Sequence, residues 1–361
     1  MSVSAVQRSQ QRLYLFDLLR LFAIVEMIFG HTVTSMVAPH HLTAFPWTLW
    51  QEFRGFTAPL FLIVSGVVQV YANKRDAHGR VLPAILWRRL RWAVALILIG
   101  YLLVLPARSL HHLPDVSASV WQSFWKVNIL QLIGVALILN TLIFAATASV
   151  KQYRRWALIV SAAVVGVTPI MAILPVHQWL PMPIAQYCGF AYGSFFPVFP
   201  YAAYMLLGGW FGAWLWSMPQ QHHPQYYRRM IAPLFAICTV AGIATFNSSV
   251  AWLTPWVGSH PNSWSLFLFR VAGVLGLVAV SGWLLPQRLR WYPQASRLSS
   301  KAFFQYILHL ILLYGTAWWD GPARRFPHSL SLEQGIAMAA GIIALCFAAS
   351  WGITYVQRRS L

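Results

Sequence analysis

Ten runs of roughly twenty apolar residues, divided by short polar loops, constrain this chain more than anything else in it. They fall near residues 13–38, 54–72, 86–106, 125–147, 156–175, 196–216, 230–247, 264–285, 302–319 and 333–356. A backbone in hydrocarbon must satisfy its own hydrogen bonds, and runs of this length do so as helices. The expectation is therefore an all-α, polytopic membrane helix bundle, with 1–361 forming a single integral-membrane domain. Charged residues make up 9% of the chain, against about 25% in a soluble domain. The polar N-terminus runs directly into a long span, so an uncleaved anchor is expected in place of a signal peptide.

The formal net charge of +19 does not point to nucleic acid, because the basic residues cluster in alternate short loops. With the N-terminus in the cytoplasm, that side receives 19 of the 26 Lys and Arg, among them Arg8, Arg12, Lys74, Arg288 and Arg290. Both termini are then cytoplasmic. Cys188, Cys238 and Cys346 lie in or beside apolar segments without CxxC or Cys/His spacing, so neither a metal site nor a disulfide framework is expected.

The first span, Arg12 to Pro39, carries Asp17, Arg20, Glu26 and His31. Ionisable groups at that depth are costly and mark a functional helix. Arg20 and His31 are eleven residues apart, about three turns plus 20°, so they project from one face roughly 16 Å apart. Asp17 falls within about 60° of the same stripe, and Glu26 points elsewhere. Such a stripe suits a helix lining a hydrated path. His31, towards the outer end, can act as a general base on a hydroxyl or amine. The competing reading is a structural histidine bonded to a neighbouring helix. Arg20 suits either an anion contact or an internal pair with Asp17.

A second basic cluster, Arg88, Arg89 and Arg91, opens the third span. Arg88 and Arg91 share a helical face. They serve either as a topology signal or as a cytoplasmic site for a multiply charged phosphate ligand; no Gly-rich phosphate loop accompanies them. Glu26 and Arg270 are expected to form a buried pair. His309, in the ninth span, fits a core or a pore-lining position. Arg324, Arg325 and Asp320 suit a solvated loop or an anionic acceptor. The outer loops hold Trp179, Tyr187 and Tyr192, then Asn247, Trp252, Trp256, His260, Asn262 and Trp264. These fit an interfacial aromatic belt or a sugar platform.

The chain resembles the membrane-bound acyltransferase superfamily that includes the acyltransferase-3 proteins and the heparan-alpha-glucosaminide N-acetyltransferase-like bacterial proteins. FDLLRLFAIVEMIFGH (16–31) matches the first-helix pattern, an Arg followed by ten residues and a His. FRGFTAPLFLIVSGVV (53–68) resembles the second helix, with Pro59, Ser65 and Gly66. RRLR (88–91) matches the Arg-x-x-Arg element of the acyltransferase-3 branch. FPVFPYAAYMLLGGWFG (196–212) and SSKAFFQYILHLILLYG (299–315) resemble later helices of the heparan-type relatives. Leu21 and Gly30 depart from the pattern, which often has Gly and an acidic or amide residue there.

The resemblance implies transfer of an acyl group, usually acetyl from cytoplasmic acetyl-CoA, to a glycan or other sugar-containing acceptor across the bacterial inner membrane. It makes His31 the catalytic histidine and Arg20, Arg88 and Arg91 required cations near the CoA phosphates. Asp17 is grouped with His31 and Arg20, and Arg89 with the cofactor-binding arginines. A secondary transporter would also carry intramembrane Asp, Glu, Arg and His, and an inactive protein of the same fold stands as a third reading.

Overall fold

The computed structural model describes residues 13–72, 75–76, 79–218, 224–246, 256, 258, 260–284 and 291–359. Arg8, Arg12, Lys74, Asn247, Trp252, Arg288 and Arg290 lie outside the described residues. The described chain is all-α, with only isolated β-bridges between loops. In order the helices are α1 (Tyr14–Met36), α2 (Trp47–Arg54), α3 (Thr57–Ala72), α4 (Pro83–Leu102), α5 (Ala118–Phe124), α6 (Ile129–Ala145), α7 (Val150–Ile173) and α8 (Met182–Cys188). They continue as α9 (Val198–Trp216), α10 (Pro224–Phe246), α11 (Trp264–Leu284), α12 (Tyr292–Ser299), α13 (Ala302–Tyr314), α14 (Pro322–Arg325) and α15 (Leu332–Arg359).

Each of the ten apolar runs contains a helix. Four segments among the described residues are long and apolar enough to cross a membrane: Trp47–Ala72, Val150–Ile173, Trp264–Leu284 and Leu332–Gln357. A fifth is added if α5 and α6, bent by 48°, form one broken span. The protein is thus a multi-pass membrane protein by the length and composition of these helices.

The chain divides into two compact units. The first comprises residues 1–15, 62–102 and 117–287; the second comprises 16–61, 103–116 and 288–361.

In the first unit α9 is buried on nearly every side, as a helix apolar all round should be. Its small residues let other backbones approach closely. The Cβ that Gly66 lacks would run into the Met205 carbonyl and lie 2.7 Å from the Gly209 nitrogen. The missing Cβ of Gly208 would run into the Ile63 carbonyl in turn. Here backbone faces backbone, so no side chain can move aside. Gly66→Ala is expected to cost about 1–3 kcal/mol through overpacking, read as a lowered melting temperature in detergent; an unchanged transition would refute the close α3–α9 contact.

Beside this contact, Val70, Phe144, Tyr153, Ala157 and Ala213 form a buried cluster. Pro169, inside α7, has no N–H to give the carbonyl four residues earlier. That carbonyl belongs to Val165, and the Trp264 indole N–H donates to it at 2.9 Å. A membrane helix tolerates proline when a neighbouring helix satisfies the released group.

The second unit contains most of α1, together with α2, the start of α3 and α12 to α15. The segment preceding α15 lies along the C-terminal end of α1. His328 N–H donates to the Ser35 carbonyl at 3.1 Å and Leu330 N–H to the Met36 carbonyl at 2.9 Å. Val33, Val37 and Leu42 pack there against Phe29, Trp47, Trp50 and Leu332. This packing fixes the end of α1 that carries His31.

Candidate active site

Two polar clusters lie on α1, and both are completed by the C-terminal third of the chain. At the first, Arg20 Nη2 donates to Asp17 Oδ1 at 3.4 Å, the i,i+3 pair the helix spacing allows. The α12 serines take up the remaining capacity. Ser296 Oγ donates to Asp17 Oδ2 at 2.5 Å, Ser299 Oγ to Asp17 Oδ1 at 3.2 Å, and Arg20 Nε donates to Ser299 Oγ at 2.8 Å. Asp17 is 7% exposed, so its charge is held by these bonds more than by solvent.

The second cluster surrounds His31. Its Nδ1 lies 3.3 Å from the Tyr314 hydroxyl, which in turn lies 2.8 Å from Ser35 Oγ. The His309 ring stacks beside the His31 ring, with centroids 5.6 Å apart and planes 28° apart. Tyr306 meets His309 edge-on at 4.9 Å. Position 30, where the resemblance leads one to expect an acidic or amide side chain, is glycine, and a Cβ there would lie 2.9 Å from Arg54 Nε. Arg54 stacks 5.2 Å over the Trp50 ring and lies within electrostatic reach of Glu26, His31 and Tyr314.

Glu26 and Arg270, expected as a pair, belong to different units, and each has a partner within its own. Glu26 Oε1 accepts from the Trp50 indole N–H at 2.6 Å, and Arg270 donates to the Tyr201 hydroxyl at 3.3 Å. The indole N–H donates to the carboxylate, the phenol oxygen accepts from the guanidinium, and Arg54 also lies within electrostatic reach of Glu26. Trp50 comes from α2, a short amphipathic helix that no apolar run announces.

The RRLR cluster splits by helical phase. Arg88 and Arg91 are exposed on α4, whereas Arg89 is partly buried and donates to Gln69 Oε1 at 3.2 Å. Gln69 Oε1 also accepts from Asn140 Nδ2 at 3.1 Å, and the Tyr153 hydroxyl donates to Asn140 Oδ1. Arg89 is thus tied to Gln69, Asn140 and Tyr153 through side-chain bonds; Arg88 and Arg91 form no ion pair among the described residues.

Among the described residues, several of the outer aromatic side chains have partners. Tyr187 bonds Tyr101 at 3.0 Å, Tyr192 bonds His177 at 3.1 Å, and Trp256 packs on Trp264 at 5.2 Å. Asp320 pairs with Arg324 at 3.5 Å and Arg108 at 3.9 Å, all three exposed. No group of three His, Cys, Asp or Glu residues able to hold a metal occurs among the described residues.

The model of the heparan-alpha-glucosaminide N-acetyltransferase catalytic family matches residues 12–248, well over half of the 361. The chain belongs to that family. The match begins at α1 and contains His31, Arg20, Asp17 and the α4 arginines, and it ends before α13. The match therefore covers the histidine, Ser35 and Arg54 but not Tyr314 or His309. Tyr314, Ser35 and Arg54 were not singled out by sequence as site residues. An ionisable group inside an apolar run, the signal that marked His309, was their closest counterpart. None of the curated proteins compared with the chain matches it.

Proposed function

We infer that this family member is a membrane-embedded acetyltransferase. It moves an acyl group from cytoplasmic acetyl-CoA to a hydroxyl or amine of an extracytoplasmic glycan or other sugar-containing acceptor. The observation that carries the reading is His31. It lies within the family match, and its Nδ1 faces the Tyr314–Ser35 hydroxyl pair while an arginine stands nearby. In this mechanism Nδ1–H donates to Tyr314, and Tyr314 donates to Ser35. That tautomer leaves the Nε2 lone pair to take the proton of the attacking group. Arg54 offsets negative charge developing near the site.

Acetyl-CoA supplies the activated acyl carbon. The exposed Arg88 and Arg91 suit its phosphates, since guanidinium groups match phosphate geometry. Arg88→Ala with Arg91→Ala is expected to raise the KM for acetyl-CoA by about tenfold or more, as loss of charge-assisted bonds should, with kcat little changed. An unaltered KM would remove these residues from donor binding. Ten spans with both termini cytoplasmic, in a bacterial inner membrane, would put these arginines on the donor side and His31 towards the acceptor side.

The rival, a transporter cycling a proton on an intramembrane acid, finds less support. Asp17 is already engaged by Arg20, Ser296 and Ser299. Reconstituted protein given radiolabelled acetyl-CoA and pooled envelope glycans is expected to label the glycan fraction. No labelling, together with no binding of acetyl-CoA, would overturn the acyltransferase reading.

A further inference from the structure

The proposed mechanism leaves His309 unused. It is 0% exposed, and no side chain bonds either ring nitrogen; its polar neighbours are backbone groups of Gln305 and Tyr306 on its own helix. One turn earlier on the buried face of α13, Gln305 Oε1 is buried and unpartnered. Buried polar atoms are nearly always paired, and each exception in a native fold calls for an explanation. A phenylalanine would fill the same space beside Tyr306 and His31 without burying two ring nitrogens that no side chain satisfies, so packing alone does not account for a histidine.

We propose that His309 is a proton relay acting through His31; this rests on the acyltransfer reading of His31. Tyr314 occupies His31 Nδ1, so a single nitrogen, Nε2, must both take the proton and surrender it. The His309 ring lies 5.6 Å away, centroid to centroid, within reach of one bridging water. As the bond from acceptor oxygen or nitrogen to the acyl carbon forms, its proton passes to His31 Nε2. The carbon–sulfur bond breaks, and the proton passes from His31 to His309 and leaves with the departing sulfur. Both imidazoles finish neutral, no redox partner is needed, and for a hydroxyl acceptor no net proton is released. An imidazole suits this work because it accepts at one nitrogen while donating from the other.

The test uses reconstituted full-length protein. His309→Phe is expected to melt at or above the wild-type temperature while transferring acetyl about 10²-fold more slowly, the scale of a lost proton-transfer group. His309→Ala is expected to be equally slow and to regain activity with added imidazole but not with toluene, which fills the space without nitrogens. Wild-type rates in His309→Phe, or equal rescue by toluene, would overturn the relay. If His309→Phe does not fold, the imidazole–toluene comparison in His309→Ala decides. A wild type that transfers, a dead His31→Ala and a normal His309→Phe would remove the relay alone. A wild type that transfers nothing would remove the relay together with the reading beneath it.

Discussion

His31→Ala is expected to lower acetyl transfer by about 10²–10⁴-fold, the range over which a positioned general base contributes. The effect should fall on kcat more than on either KM, because the imidazole acts on the proton lost in the transition state and not on the ground-state complex. Melting should change little by comparison, since His31 is only partly buried and its bond to Tyr314 is a single contact of 3.3 Å. His31→Gln sharpens the test. Its amide keeps a hydrogen bond towards Tyr314 but cannot accept a proton at neutral pH. Activity retained by the glutamine variant would make His31 a positioning group and move the base elsewhere. Loss in both variants, measured with matched amounts of folded protein, would support the base.

Asp17→Ala is expected to destabilise the protein by about 3–5 kcal/mol, the cost of removing one partner from a buried ion pair. Arg20 would keep Ser299, but its carboxylate partner and the acceptor for both serine hydroxyls would be gone. The pair lies between α1 and α12, so its loss should loosen the C-terminal helices that also hold His309 and Tyr314. Asp17→Asn, which keeps one acceptor oxygen, should lose less. The measurement is the unfolding transition in detergent, set beside the transfer rate. A large fall in stability with proportionate loss of activity assigns Asp17 and Arg20 to the framework. An unchanged transition with transfer abolished would instead make Asp17 a working group, as the stripe on the first span suggests.

The two clusters separate what helix geometry reveals from what it hides. Asp17 and Arg20 are three residues apart, so 100° per residue is enough to bring them together. The same rule puts Arg88 and Arg91 on one face, and both are exposed, whereas Arg89, grouped with them by sequence, bonds Gln69. It says nothing of Glu26 and Arg270, which are far apart in the chain: Glu26 accepts from the Trp50 indole with Arg54 in electrostatic reach, and Arg270 donates to the Tyr201 hydroxyl. Trp50 is only 24 positions from Glu26, yet it lies on a short helix with no apolar run to mark it.

What the sequence determined by itself was the long apolar helices and the Asp17–Arg20 pairing on the first of them. Both follow from local rules: apolar runs long enough for a bilayer, and a fixed angle per residue. The tertiary structure alone decided what stands around His31. Tyr314 is 283 positions away and His309 lies in the same distant helix, outside the family match altogether. No periodicity links residues so far apart. They meet because the segment before α15 pairs with the end of α1 and the serines of α12 bind Asp17 and Arg20, which sets α13 alongside the histidine.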